Sequence, residues 1–140
     1  MSDSRFSRRA ILAFAVVIGL GSVALRAHHA ISAVYDSSRP VTIDGVVSEF
    51  HLINPHPYLI IDVVTDMGVG EQWRGEMDNR HELVEIGVTA STFRPGDRVV
   101  VRGSAGRTEL RSLYILRLDR TADGFRYEQV GQSPRIRRPR

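Results

Sequence analysis

The sequence predicts a mostly β fold with one short helix, and three observations support this prediction. After residue 40, runs rich in β-branched and aromatic residues alternate with short turns that contain Gly, Pro, Asn or Asp. One helix pattern lies between the third run and the fourth. The chain has 140 residues, which is room for a single domain. The order β-β-β-α-β-β is that of a small five-stranded OB-like barrel, which leaves few open sheet edges. A split barrel or a small sandwich is the alternative.

The first three strands are predicted to form an antiparallel meander. The first strand, residues 41–50, follows a short extended lead and is rich in β-branched residues. The sequence Asn-Pro-His-Pro at 54–57 ends this strand, because proline cannot donate a hydrogen bond to a sheet ladder. The second and third strands, residues 58–65 and 71–77, are joined by a Gly-containing hairpin turn at 67–70.

A helix of about two turns is predicted after the third strand. Asn79 and Glu82 have the spacing of a capping box, and Gly87 suits the helix C-terminus. Between these ends, Leu83 and Ile86 supply one apolar edge. The pattern therefore predicts a short helix that packs one side against the sheet.

The rest of the chain returns to strand patterns. A Pro-Gly-Asp turn at 95–97 leads into a fourth strand at 98–103, and a fifth strand is predicted at 109–118. A short edge strand is expected within residues 121–129, completing a domain that starts at residue 28 and ends at residue 130. The Arg-rich tail, residues 131–140, is expected to be disordered.

The first 27 residues are typical of an export signal. Three arginines precede an apolar run at 10–25, which is shorter than the roughly 20 residues of a membrane-spanning helix. Residues 7–12 resemble the twin-arginine export motif, and a general secretory signal is the alternative. We expect cleavage after Ala27 and delivery to a bacterial periplasm. Cleavage after Ala24, and an uncleaved segment that anchors the domain to the membrane, remain open.

Composition and charge exclude several classes of function. The net charge is +3, but residues 28–134 carry 11 Arg and 15 acidic side chains, a balance of −4. A mildly acidic domain does not favour nucleic acid binding. The chain has no Cys and no Lys, which excludes disulfides, thiolate sites and Schiff-base catalysis. Because no nucleophile elbow, phosphate loop or dinucleotide motif is present, we expect a binding protein and not an enzyme.

Motifs spread over most of the expected mature chain resemble those of one family. The most specific are the paired histidines His28-His29 and the Asn-Pro-His turn at 54–56. The others follow in the same order: Tyr35-Asp36, Pro40-Val41, Gly45-Val47, Trp73 with Glu76, Leu83 with Gly87, and Pro95-Gly96-Asp97-Val99-Val101-Gly103. From His28 to about Leu118, they resemble a family of small exported bacterial proteins, the domain of unknown function number 6152. The resemblance implies export and a β-rich domain, but no reaction. A Ser often follows the two histidines in that family, where this chain has Ala30.

Four histidines are candidate ligands for a metal ion. Cleavage after Ala27 would give His28 a free amine beside its imidazole, and such a chelate suits Cu(II) or another transition metal. His56 is the best second imidazole, because the flanking prolines restrict its loop. His29 and His51 are candidate assisting ligands. The alternative is that the paired histidines are solvated and that the Asn-Pro-His sequence only shapes a turn.

A second hypothesis assigns the domain a protein partner or a small ligand in place of a metal. OB barrels commonly bind on the face of the second and third strands. The candidate contacts there are Tyr58, Trp73, Arg74 and Glu76. Trp73 also fits a core position, and Glu76 also fits an ion pair with Arg74 or with a neighbouring strand.

Overall fold

The structure of the protein is a computed structural model that describes residues 31–139. Its contacts divide the chain into two units, Met1–Ala33 and Val34–Arg140. In the first unit, the described residues are helical. The second contains, in chain order, β1 (Tyr35–His51), β2 (Tyr58–Val64), β3 (Gly70–Glu76), α1 (Arg80–Glu85), β4 (Arg98–Gly106), β5 (Ser112–Arg120), β6 (Arg126–Val130) and β7 (Ser133–Arg137). The expected export signal, residues 1–27, lies outside the described residues. None of the described helices has the length and hydropathy needed to cross a membrane.

The strands form a seven-stranded sheet in the order β3-β2-β1-β4-β5-β6-β7. Every neighbouring pair in this order is antiparallel. In addition, β3 pairs with β5 in parallel, where residues 74–76 lie beside residues 112–114. Following these pairings from β3 through β2, β1, β4 and β5 therefore leads back to β3. The predicted mostly β fold, with a helix between the third and fourth strands, is confirmed.

Strand β1 is longer than predicted, because it begins at Tyr35 and not at residue 41. Its first part, up to Val46, pairs with β4, and its last part, from Val46 to His51, pairs with β2. One strand is thus shared between two partners. The backbones come close at Gly45, where a Cβ atom would lie 2.5 Å from the carbonyl oxygen of Asp62. Glycine is needed there because a side chain would clash with the neighbouring strand.

The hydrophobic core lies on one face of the sheet and is built from alternate residues of the strands. Phe93, from the segment before β4, packs edge-on against Phe50 and Phe125, with ring centroids 5.1 and 5.5 Å apart. The fully buried members of the core with the largest side chains are Tyr127, Phe93, Leu59, Ile61, Met77, Leu83, Leu113, Ile115 and Leu118. The side chains on the opposite face of the sheet do not form part of this core.

The predicted helix N-terminus is present in part. The Asn79 side chain accepts a hydrogen bond from the backbone N–H of Glu82 at 3.0 Å, as the capping-box spacing predicts. The reciprocal bond is absent, because the Asn79 N–H donates to Asp78 Oδ1 at 2.7 Å. Glu82 Oε2 is buried and has no hydrogen-bond partner among residues 31–139. Gly87 adopts φ +94° just past the helix, as expected of a helix C-terminus.

The C-terminal segment differs from its prediction. Strand β6 confirms the strand expected within residues 121–129, but it is not an edge strand, because residues 133–137, expected to be disordered, form strand β7 beside it. Pro134 is buried and Ile136 packs against the core, while Arg135 and Arg137 are exposed. Pro134 and Ile136 alternate with Arg135 and Arg137, so this segment has a period-two pattern whose apolar positions face the core. The sheet therefore has two strands beyond the five predicted for the barrel.

Candidate functional site

Three of the predicted contact residues share the sheet face that points away from the core. Leu59 and Ile61 of β2 are fully buried, so the alternate residue Tyr58 faces outward. In the β2–β3 pairing, Tyr58 lies opposite Glu76 and Ile60 lies opposite Arg74. The side chains of Tyr58, Arg74 and Glu76 therefore meet on one surface.

Trp73 lies on the opposite side of β3. It is partly buried and packs against the core, which agrees with the core interpretation of this residue. Its indole N–H donates a 3.3 Å hydrogen bond to Glu71 Oε2, and Glu71 in turn forms a 3.2 Å ion pair with Arg111. Trp73 thus stabilises the domain, on a different face from Arg74 and Glu76.

Glu76 has partners that the sequence did not predict. Its Oε2 accepts a 2.8 Å hydrogen bond from the hydroxyl of Tyr35, which is only 4% exposed. Its Oε1 lies 3.4 Å from Nδ1 of His56, and both side chains are 18% exposed. Burial, followed by the hydrogen bond to Glu76, raises the pKa of Tyr35, so its phenol stays protonated and donates. Glu76 therefore pairs with Tyr35 and His56 and not with Arg74.

The loop that carries His56 is fixed to the segment that links β3 to α1. The Pro57 carbonyl accepts a 2.8 Å hydrogen bond from the Met77 N–H, and the Pro55 carbonyl accepts a 3.0 Å bond from the Arg80 N–H. The Asn54–Pro55 peptide bond is cis. Because proline also restricts the backbone, the position of the His56 ring is well defined before any ligand arrives.

The hydrogen bonds of His56 determine which ring nitrogen is available. Nδ1 lies 3.2 Å from the carbonyl oxygen of Met77, and a carbonyl oxygen can only accept. Nδ1 is therefore the donor, and in the neutral ring Nε2 carries the free lone pair. No hydrogen bond or ion pair joins Nε2 to any residue between 31 and 139. The imidazole is thus oriented with one nitrogen free to accept a proton or bind a ligand.

A stack of three planar groups lies next to this loop. The rings of His51 and Tyr58 are nearly parallel, with centroids 4.5 Å apart, and the Arg74 guanidinium carbon lies 3.6 Å from the Tyr58 ring centroid. His51 comes from β1 and Arg74 from β3, so they reach the ring from the two sides of β2. His51 Nε2 also contacts Glu49 Oε2 at 2.5 Å. The guanidinium of Arg74 forms no ion pair or side-chain hydrogen bond with the described residues, so its N–H donors face outward.

Further acidic and phenolic groups surround the site. Burial raises the pKa of Tyr114, and the nearby carboxylates of Asp78, Glu76 and Glu82 raise it further. The rings of Tyr35 and Tyr114 are 5.8 Å apart. These carboxylates lie near Tyr114, while the positive charge of Arg74 acts in the opposite direction on the pKa of Tyr35. Sequence reasoning did not assign roles to Tyr35, Asp78 or Tyr114, because no local spacing connects them to His56.

The structure leaves the predicted metal site incomplete. His28 and His29 lie outside the described residues, so their pairing with His56 stays a prediction. Among residues 31–139, no three or more His, Cys, Asp or Glu side chains are grouped so that they could hold a metal ion. The described part of the chain contributes one oriented imidazole and its supporting groups. The His51 ring stacks on Tyr58, and its Nε2 contacts Glu49.

The comparison with known families agrees with the resemblance seen in the sequence. Residues 16–112 match the model described as Family of unknown function (DUF6152). The chain belongs to this family. The DUF6152 match covers β1 to β4, α1 and the start of β5, and so includes the His56 loop, Tyr58 and Glu76. No curated protein and no solved structure is significantly similar to the chain.

Proposed function

We propose that this DUF6152 protein is an exported binding module, not an enzyme, and that His56 is one ligand of a copper or other transition-metal ion. The observation that carries the proposal is the orientation of the His56 ring. Nδ1 donates to the Met77 carbonyl beside the Glu76 carboxylate, and Nε2 keeps its lone pair. Metal-binding histidines are commonly held in this way, by a carbonyl or carboxylate at the other ring nitrogen.

The remaining ligands in this proposal come from the mature N-terminus. Export by the twin-arginine or general secretory route, followed by cleavage after Ala27, makes His28 the first residue in the periplasm. Its amine and imidazole join His56 Nε2 at the metal, and His29 or His51 assists. The proposal is supported by the charged and apolar pattern of residues 1–27. A set of nitrogen donors is also one that Cu(II) favours.

The charge around His56 supports a cationic ligand. Glu76 Oε1 lies 3.4 Å from Nδ1 of the ring. A carboxylate beside the imidazole favours a cation bound at Nε2.

We further propose that β1 to β5 form a closed five-stranded OB-like barrel. The cyclic set of pairings, completed by the parallel contact between β3 and β5, supports this proposal. The position of α1 between β3 and β4 also fits the OB order. In such a barrel, the loop with His56 joins the first two strands at one rim.

The metal proposal is tested by calorimetric titration of Cu(II) into the mature protein, purified after export. Mass spectrometry of the same sample identifies its first residue. We expect about one equivalent of Cu(II) to bind, with affinity at least tenfold weaker in His56→Ala. The matched control is His81→Ala, because His81 is 83% exposed and its one ion-pair partner among the described residues is Glu85. Equal affinity in all three proteins, or no uptake by the wild type, overturns the proposal. Circular dichroism melting checks that His56→Ala remains folded.

A second candidate function rests on a different observation, the stack of His51, Tyr58 and Arg74. We propose as the alternative that this stack binds a partner protein or a small ligand without metal. A guanidinium centred over a tyrosine ring is held in place while its N–H donors stay free for a carboxylate. Aromatic and Arg side chains are also enriched where interfaces gain most of their affinity.

Variants of the stack, with a control on β4, test the second candidate. Arg74→Ala and Tyr58→Ala would abolish capture of a periplasmic partner by the immobilised protein while copper content stays the same. Arg102→Ala is the matched control, because Arg102 is an exposed arginine of β4 without an ion pair in the described structure. Capture that is unchanged in Arg74→Ala and Tyr58→Ala contradicts this candidate.

A further inference from the structure

We infer that the domain has a second binding site, for a small polyanion, in a pocket separate from the His56 region. The pocket has a volume of about 490 Å³. Its walls come from the segment between α1 and β4, the turn between β5 and β6, and the end of β7. The volume lies within the range of about 300–1,000 Å³ that is usual for small-molecule sites.

One arginine forms ion pairs with both carboxylates of the pocket. Arg120 donates to Asp97 at 3.0 Å and to Asp123 at 2.8 Å, and its Nη1 also donates to the Thr92 carbonyl at 2.6 Å. Its side chain is 16% exposed, so these bonds are sheltered from water. This network fixes the pocket wall and leaves the acids unable to repel an anion strongly.

Two other arginines of the pocket have no acidic partner among residues 31–139. The guanidinium of Arg94 forms no hydrogen bond or ion pair with the described residues, although its backbone N–H is fixed by Asp97 at 2.9 Å. Within the described part of the chain, Arg138 donates only to the carbonyl oxygen of Gly87, at 3.0 Å. A Cβ atom at Gly87 would clash with Arg138 Nη2 unless this exposed side chain shifted, so the guanidinium lies directly against Gly87. The pocket thus keeps an excess of positive charge and several free N–H donors.

The shape and the lining indicate the class of ligand. Phe125 and Ile136 provide an apolar patch beside the two free arginines. Guanidinium groups bind carboxylates and phosphates through paired hydrogen bonds. The ligand is therefore a compact molecule with two or more carboxylate or phosphate groups. The site does not depend on the metal proposal, because none of its residues belongs to the His56 region.

The experiment is an NMR titration of the full mature domain with citrate and, separately, with inorganic phosphate. We expect saturable shifts of the amide resonances of residues 89–97 and 122–125 with at least one of these probes. Saturable shifts with citrate alone would indicate a polycarboxylate ligand. Saturable shifts with phosphate would indicate a phosphate-bearing ligand. The double variant Arg94→Gln/Arg138→Gln should bind about tenfold or more weakly.

The control for this titration is Arg102→Gln, which removes one exposed positive charge from β4, outside the pocket. It should bind the probe as the wild type does. The inference is overturned if neither probe gives saturable shifts in these segments. It is equally overturned if the double variant binds as tightly as the wild type, or if Arg102→Gln weakens binding as much as the double variant. Arg94 and Arg138 are both exposed, so the double variant should keep its fold, as melting by circular dichroism would verify.

Discussion

The hydroxyl of Tyr35 donates a 2.8 Å hydrogen bond to Glu76, linking the start of β1 to the end of β3 across 41 residues of sequence. Glu76 is in turn the carboxylate beside the His56 ring. A buried phenol at the beginning of the domain therefore holds the acid that helps to orient the imidazole. The metal proposal depends on this chain of contacts.

Removing the Tyr35 hydroxyl should destabilise the domain. In Tyr35→Phe, the half-buried Glu76 carboxylate loses a donor, which should lower the free energy of unfolding by about 1–2 kcal/mol. Urea denaturation measures the change. Tyr58→Phe is the control, since the Tyr58 hydroxyl makes no hydrogen bond within the described residues while its ring keeps the stack. Equal loss of stability in the two variants would show that the bond to Glu76 has no special role.

Gly45 should tolerate no side chain. A Cβ atom there would lie 2.5 Å from the Asp62 carbonyl and 2.8 Å from Ile61. Gly45→Ala should therefore lower the free energy of unfolding by about 1–3 kcal/mol, because the paired strands must separate to admit the methyl group. Gly70→Ala is the matched control, because nothing lies within 4 Å of its added Cβ. Thermal or urea unfolding that ranks Gly70→Ala as the less stable variant argues against the close approach of β1 and β2.

Strand β7 should contribute to stability even though its sequence is rich in arginine. Ile136 packs against the core, and Ile136→Ala should lower the free energy of unfolding by about 1–2 kcal/mol. Arg135→Ala, on the exposed side of the same strand, should change it by less than about 0.5 kcal/mol. Urea denaturation distinguishes these outcomes. If Ile136→Ala is as stable as the wild type, the conclusion that β7 packs against the core is contradicted.

The acid sensitivity of the domain should depend in part on Asp123. Hydrogen bonds from Arg120 hold the pKa of Asp123 below its ordinary value. A carboxyl whose pKa is lower in the folded state stabilises the fold above the unfolded pKa of about 3.9, and this contribution is lost as the pH falls through the folded pKa. The free energy of unfolding should therefore fall less steeply below about pH 4 in Asp123→Asn than in the wild type.

The control for this pH series is Asp66→Asn, in the exposed turn between β2 and β3. Urea unfolding measured at several pH values should give this variant the acid profile of the wild type. An Asp123→Asn profile as steep as that of the wild type would contradict the role given to Arg120.

The features that sequence analysis predicted are those encoded by neighbouring residues. The β-branched runs, the break at Asn-Pro-His-Pro and the Asn79 cap each depend on residues close in the chain, and the structure contains all of them. Strand β7 was missed because its arginines outweighed the alternation of Pro134 and Ile136. The alternation was present, and a period-two test of the tail would have found it.

The surroundings of His56 were less predictable than the fold. His56 itself was identified from its proline-flanked turn, and the outward direction of Glu76 followed from strand alternation. The contact of Glu76 with Tyr35 spans β1 and β3, so no local pattern contains it. Tyr114 lies beside Glu76 only through the pairing of β3 with β5. Such contacts follow from strand topology, which a single sequence does not specify residue by residue.

The most direct measurement is pulsed electron paramagnetic resonance of the mature protein loaded with Cu(II). If His56 is a ligand, the spectrum will show modulation from the remote nitrogen of a coordinated imidazole, and the modulation will be reduced in His56→Ala but unchanged in His81→Ala. A spectrum that is the same in His56→Ala and the wild type, or a wild-type protein that retains no Cu(II), would contradict the proposal that the His56 loop is a metal site.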